Sequence, residues 1–132
     1  MKITVDTNVL LRAVVEDDPA QQLLAIEALD GAELVAVSLQ AFCEFAWVLE
    51  RSYGVARADI AASIRAVLDI RNITANRPVV EAGLSMLEAG GDFADGVIAH
   101  DGRWLGGETF VSFDRKAVKF LTAHGQVARL LK

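Results

Sequence analysis

The sequence predicts an α/β fold on a mainly parallel sheet covered by helices on both faces, and three observations predict it. Short β-branched apolar runs such as "KITV", "ELVAV" and "TFVSF" recur along the 132 residues. Helix-length segments separate them, and polar caps, prolines or glycines mark most junctions. Strands that alternate with helices in this way pair in parallel, because each helix must cross a face of the sheet between them.

Taken in order, "KITV" reads as a strand that ends in the polar turn Asp6, Thr7, Asn8 and leads into helical "VLLRAVV". Asp18 and Pro19 suit the cap and first turn of a helix running to Gly31. "ELVAV" is a second strand, after which Ser38 caps "LQAFCEFAWVLERSY" and Gly54 closes it. A helix from Ala56 to Leu68, a short strand from Arg71 to Thr74 and a helix opened by Pro78 and ended near Gly90 come next. The remainder reads as a helix beginning at Asp92, the strand "TFVSF", a helix after Asp114 and a last strand around Val127 to Leu131.

Composition bounds the function. With 53% hydrophobic residues, 23% charged residues and two prolines, residues 1–132 have the apolar surface to close one core and are read as a single domain. The net charge of −5 argues against a broad basic face for nucleic acid and leaves only local, ion-assisted contact. A lone cysteine, Cys43, sits in an apolar run and is expected to be an inert thiol. Asp6 and Arg12 interrupt the first apolar stretch, and Ser38, Gln40 and Glu44 interrupt the longest, so neither a signal peptide nor a membrane span is expected. The expected location is the cytoplasm.

Chemistry is expected beyond the carboxyl ends of the strands, where open α/β sheets form their clefts. Asp6 directly follows the first strand and Asp114 directly follows "FVSF", while Asp92 and Asp95 open a helix. Each has an ordinary structural explanation as a turn or cap residue, since Asp readily accepts backbone N–H bonds and favours helix starts. Glu44 shares a helical stripe with Gln40, Val48 and Arg51. A solvated face would explain it, but Phe45, Trp47 and Val48 make its surroundings apolar and point to a cleft or a partner. Together, several carboxylates at one rim repel by about 4 kcal/mol per pair at ~4 Å and an effective dielectric near ~20. A hard divalent cation with oxygen ligands relieves that repulsion.

The blocks "VDTNVLLR", "SLQAFCEFAWVLERSYG", "GGDFADGVIA" and "FVSFDRKAVK" occur in the order and at the approximate spacing of PIN domains. The chain resembles a VapC-type toxin of the subgroup that includes FitB-like proteins, and the resemblance covers essentially its whole length. It implies a three-layer α/β/α sandwich around a mainly parallel central sheet. It also implies a Mg²⁺- or Mn²⁺-dependent endoribonuclease whose metal acids are Asp6, Glu44, Asp95 and Asp114, with Asp92 accessory and Asn8 and Ser112 as small polar supports. Arg12, Arg115 and Lys116 are the candidates for phosphate or RNA contact, although each also suits a solvated helix face. Toxins of this kind pair with a small antitoxin, so the expected partners are an RNA substrate, a cognate antitoxin and a second copy of the chain.

Two departures from the family pattern stand out. Gly96 occupies a helical position where alanine is common, at a propensity cost of roughly 1 kcal/mol unless close packing needs it, and Ser112 replaces a frequent threonine. His100 and His124 lack further nitrogen or sulfur ligands at useful spacing, which disfavours zinc. Trp47 and Trp104 read as core or interface aromatics. The alternatives to the nuclease are a catalytically silent PIN-fold module that binds RNA or protein, and a hydrolase with Asp6 as nucleophile. Asn8 stands where the second would place another aspartate.

Overall fold

The computed structural model describes residues 1–132 and divides them into two compact units, Met1–Arg77 and Pro78–Lys132. The α/β class and the parallel pairing agree with the sequence expectation, but the hydrogen-bonded strands form one set of three and one set of two.

In the first unit, β1 (Lys2–Thr4), β2 (Leu34–Ala36) and β3 (Ile73–Thr74) pair in parallel in that order, with Ile3 opposite Val35 and Val35 opposite Ile73. The helices of this unit are α1 (Thr7–Val14), α2 (Pro19–Gly31), α3 (Leu39–Arg51) and α4 (Arg57–Asp69). Side-chain caps set three of their starts: Asp6 accepts from the Val9 N–H, Asp18 from Gln21 and Ser38 from Ala41. Asp6 therefore caps a helix that begins two residues earlier than "VLLRAVV" suggested, and Thr7 and Asn8 belong to its first turn instead of a preceding loop. α3 ends as its sequence indicates: Gly54 takes φ +63°, and Val55 N–H reaches back to the Leu49 carbonyl. The Asn72 side-chain amide donates to the carbonyls of Leu29 and Ala32, tying the chain before β3 to the end of α2. Phe42, Phe45, Leu49, Ile60 and Ile64 are essentially fully buried, so α3 and α4 turn their apolar faces inward.

The second unit contains α5 (Arg77–Glu88) from its second residue on, then α6 (Phe93–Trp104), β4 (Phe110–Ser112), α7 (Arg115–Ala123) and β5 (Ala128–Leu130). β4 and β5 are parallel, with Val111 opposite Arg129. Met86, Ala99, Ala117 and Leu121 form a buried cluster that Phe110, Phe120 and Ala128 partly cover. Gly90, at φ +98°, lets the chain leave α5 and turn sharply toward Asp92, the cap of α6.

α5 and α6 approach closely, which accounts for Gly96. A Cβ there would stand 2.5 Å from the Ala82 carbonyl oxygen and 2.9 Å from both Gly83 Cα and Met86 Cβ. A Cβ on Gly83 would meet the Phe93 ring at 2.6 Å. The helix-propensity cost of Gly96 is thus offset by packing that no other residue permits. No helix is long and apolar enough to cross a membrane. Gly96→Ala should destabilise the protein by about 1–3 kcal/mol despite its better helix propensity, since backbone atoms of α5 must move aside. Urea unfolding measures this, and a variant as stable as the parent would contradict the close approach.

Candidate functional site

The predicted acids fall into two groups, one in each unit. In the first, Asp6 leaves β1 as the α1 cap and uses Oδ1 to accept the Val9 N–H at 3.3 Å. Asp6 and Glu44 line the same cavity of about 360 Å³ with Thr7, Ser38 and Gln40. The Thr7 hydroxyl donates to Glu44 Oε2 at 2.6 Å, a bond that joins α1 to α3 across 37 residues of sequence. Glu44 is exposed, unlike the enclosed carboxylate its apolar neighbours suggested, and Trp47 beside it is itself 57% exposed with the Arg51 guanidinium over its ring. The carboxylate is nevertheless held, by a threonine that sequence reading assigned only to a turn. Adjacency to Asp6 was its sole signal.

In the second unit, Asp92 caps α6 by accepting the Ala94 N–H at 3.0 Å, as its cap-like setting indicated. Asp114 caps α7, accepting from Lys116 at 2.9 Å and Ala117 at 3.2 Å, and Ser112 Oγ accepts the Asp114 N–H at 2.9 Å. Ser112 therefore fixes the backbone of the acid it precedes. Asp95, in the first turn of α6, is half-buried. Burial first, then the charges of Asp92 and Asp114 and a hydrogen bond with the Asp114 side chain, push its pKa up to about 6. Asp92 and Asp114 thus both act on Asp95, which their spacing in the sequence does not state.

The basic candidates are less uniform. Arg12 is not free for a phosphate, because its Nη1 lies 3.0 Å from Asp17 Oδ1, and Asp17 also accepts from the Tyr53 hydroxyl. Arg115 and Lys116 lie exposed on the first turn of α7, directly after Asp114. Asn8 is exposed and lines a groove of about 390 Å³ between α1 and α2 with Asp6, Arg12 and Leu24. Cys43 is partly buried and forms no disulfide.

The donors fit a hard divalent cation in chemistry: all are carboxylate oxygens, and Asp95, raised first by burial and then by the charges of Asp92 and Asp114, would have its charged form favoured by a cation. Within neither unit are three or more His, Cys, Asp or Glu side chains already drawn together as a complete ligand set.

The chain belongs to the PIN domain family, which it matches over residues 3–120. That span runs through both units and includes every acid named above. No curated protein matches the chain. PIN domains are generally metal-dependent nucleases.

The shifted carboxyl has a consequence for stability. An Asp with a pKa of about 6 when folded and 3.8 when free favours folding while it keeps its proton. As pH rises through this window the unfolded chain loses the proton first, so stability declines and the contribution is gone above the folded value. In EDTA, the melting temperature of Asp95→Asn minus that of the parent should therefore grow between about pH 4 and 6 and then level off. A difference that stays flat across this range would show that Asp95 is not perturbed.

Proposed function

We propose that the protein is a Mg²⁺- or Mn²⁺-dependent endoribonuclease, the toxin of a type II toxin–antitoxin pair of the VapBC kind. The observation that carries this reading is Asp95: a half-buried carboxyl under the influence of Asp92 and Asp114, in a chain of a nuclease family that keeps Asp6 and Glu44 as well. In this reading Asp6, Glu44 and Asp95 hold the ion, directly or through water, Asp114 completes the set and Asp92 is accessory. A divalent ion so held supplies Lewis acidity toward a phosphodiester and lowers the pKa of water.

The chain's own residues have distinct tasks. Thr7 keeps Glu44 oriented by donating to Oε2, which leaves Oε1 for other partners. Ser112 and the α7 amides orient Asp114. Arg115 and Lys116, exposed beside Asp114, attract the phosphate backbone locally against the acidic total. Ionised Asp95 is needed for a ligand, so metal affinity rises with pH through about 6.

For the antitoxin, support comes from the groove between α1 and α2: Leu24 is 65% exposed there, next to acidic Asp6, which suits an apolar partner segment with a basic side chain. Exposed Trp104 and Leu105, at 80% and 84%, supply apolar surface for a second copy.

Purified protein freed of its antitoxin should cleave RNA with Mg²⁺ or Mn²⁺ and stop in EDTA. Asp6→Asn in the first unit and Asp95→Asn in the second should each lower cleavage by at least about 100-fold while circular dichroism stays unchanged. If Asp6→Asn retains cleavage, the assignment fails. RNA binding that is equal in EDTA, with no cleavage under any metal, would mark a silent binding module instead. Leu24→Glu should reduce co-purification with the antitoxin and leave cleavage intact, which a pull-down and a cleavage assay on the same sample measure.

A further inference from the structure

His100 and His124 lie 24 residues apart in sequence, yet both line one cleft of about 160 Å³ that opens on the surface of the second unit. Arg103, Ser85 and Gln126 line it too, and no aspartate or glutamate does. The remaining walls are small or apolar residues of α5, α6 and α7. His100 follows Asp95 by five residues, which turns it roughly 140° around the helix axis from the acids.

Each polar group there lacks an anionic partner. Arg103 forms no salt bridge within the chain. His100 Nδ1 is buried without a hydrogen-bond partner, so nothing in the protein fixes this ring's proton, and a turn about Cβ–Cγ can offer an N–H to a ligand. His124 is held differently. Its Nδ1 lies 2.8 Å from the Phe120 carbonyl and its ring stacks on Phe120 at 4.1 Å, so Nδ1 carries the hydrogen and Nε2 is left as the second reactive edge. A guanidinium and two imidazoles that can each take a proton match the charge of a dianion, and the planar fork of Arg103 suits a tetrahedral oxyanion. The guanidinium also argues against a metal cation in the same space.

We propose that this cleft is a binding site for a dianionic phosphate group, with Arg103, His100 and His124 as its cationic contacts and Ser85 and Gln126 as neutral donors. The group could be free inorganic phosphate or the terminal phosphate of a nucleotide chain; the two share the chemistry that the cleft recognises. This proposal stands whether or not the protein cleaves RNA.

The test follows the imidazole resonances of the full chain by NMR in EDTA, at constant ionic strength set with chloride, as inorganic phosphate is added. The expected result is a saturable shift of the ring resonances of both His100 and His124. Arg103→Ala, an exposed position whose loss leaves the core intact, should weaken binding at least tenfold, and His124→Ala likewise. A second arm compares a dinucleotide with and without a 5′-phosphate. Tighter binding of the phosphorylated form than of inorganic phosphate assigns the site to a nucleotide end, and equal binding assigns it to free phosphate. The proposal is overturned if neither ligand gives a saturable shift, if both variants bind as the parent does, or if the unphosphorylated dinucleotide binds equally well.

Discussion

Backbone amides at helix starts hold three of the five candidate acids. Asp6, Asp92 and Asp114 each accept N–H groups from the first turn of α1, α6 and α7, and in every case the bond is made by Oδ1. A side chain fastened to the helix it caps takes on the rigidity of the backbone, and its position costs little further ordering entropy. Because Oδ1 makes the capping bond, Oδ2 is not committed to it. Capping and ligation are therefore compatible uses of the same carboxylate, and the choice between them that the residues pose in isolation need not be made.

Asp95 is placed by other means. It accepts no amide in a cap; its position follows from α6, and α6 is set by the contact of Gly96 with Ala82, Gly83 and Met86 on α5. That contact explains why a poor helix former sits immediately after the most perturbed carboxyl. The small residue lets two helices approach; burial of Asp95 itself is the first cause of its raised pKa, ahead of the neighbouring charges. Glu44 represents a third arrangement, an exposed carboxylate whose orientation rests on one hydroxyl from another helix.

Much of the fold was legible because its signals are local. Asp18 with Pro19, Ser38, Gly54 and Gly90 each act within a few residues, and each stands at the boundary its chemistry indicated. The turn at Thr7 and Asn8 was misjudged for the same kind of reason: cap and turn chemistry look alike when only neighbouring residues are read, and the Val9 amide decided for the helix. The acids were legible as types and positions. Their couplings were not, because Thr7 with Glu44, Asp95 with Asp114 and Arg12 with Asp17 are set by side-chain reach in space. The histidines make the point most sharply, since a spacing of 24 residues gave no reason to place them in one cleft.

By itself, then, the order of residues determined which helices and strands form and, to within a few residues, where they begin and end, that the strands run parallel, and which carboxylates stand at helix starts. Those properties depend on backbone conformation and hydrophobic period, which are written in short windows of chain. Tertiary structure alone decided which strands bond to which, how far Glu44 is exposed, which proton Asp95 keeps and which cation Arg12 ceases to offer. Each of these depends on the distance between groups remote in sequence and on the water between them, and only packing sets those two quantities.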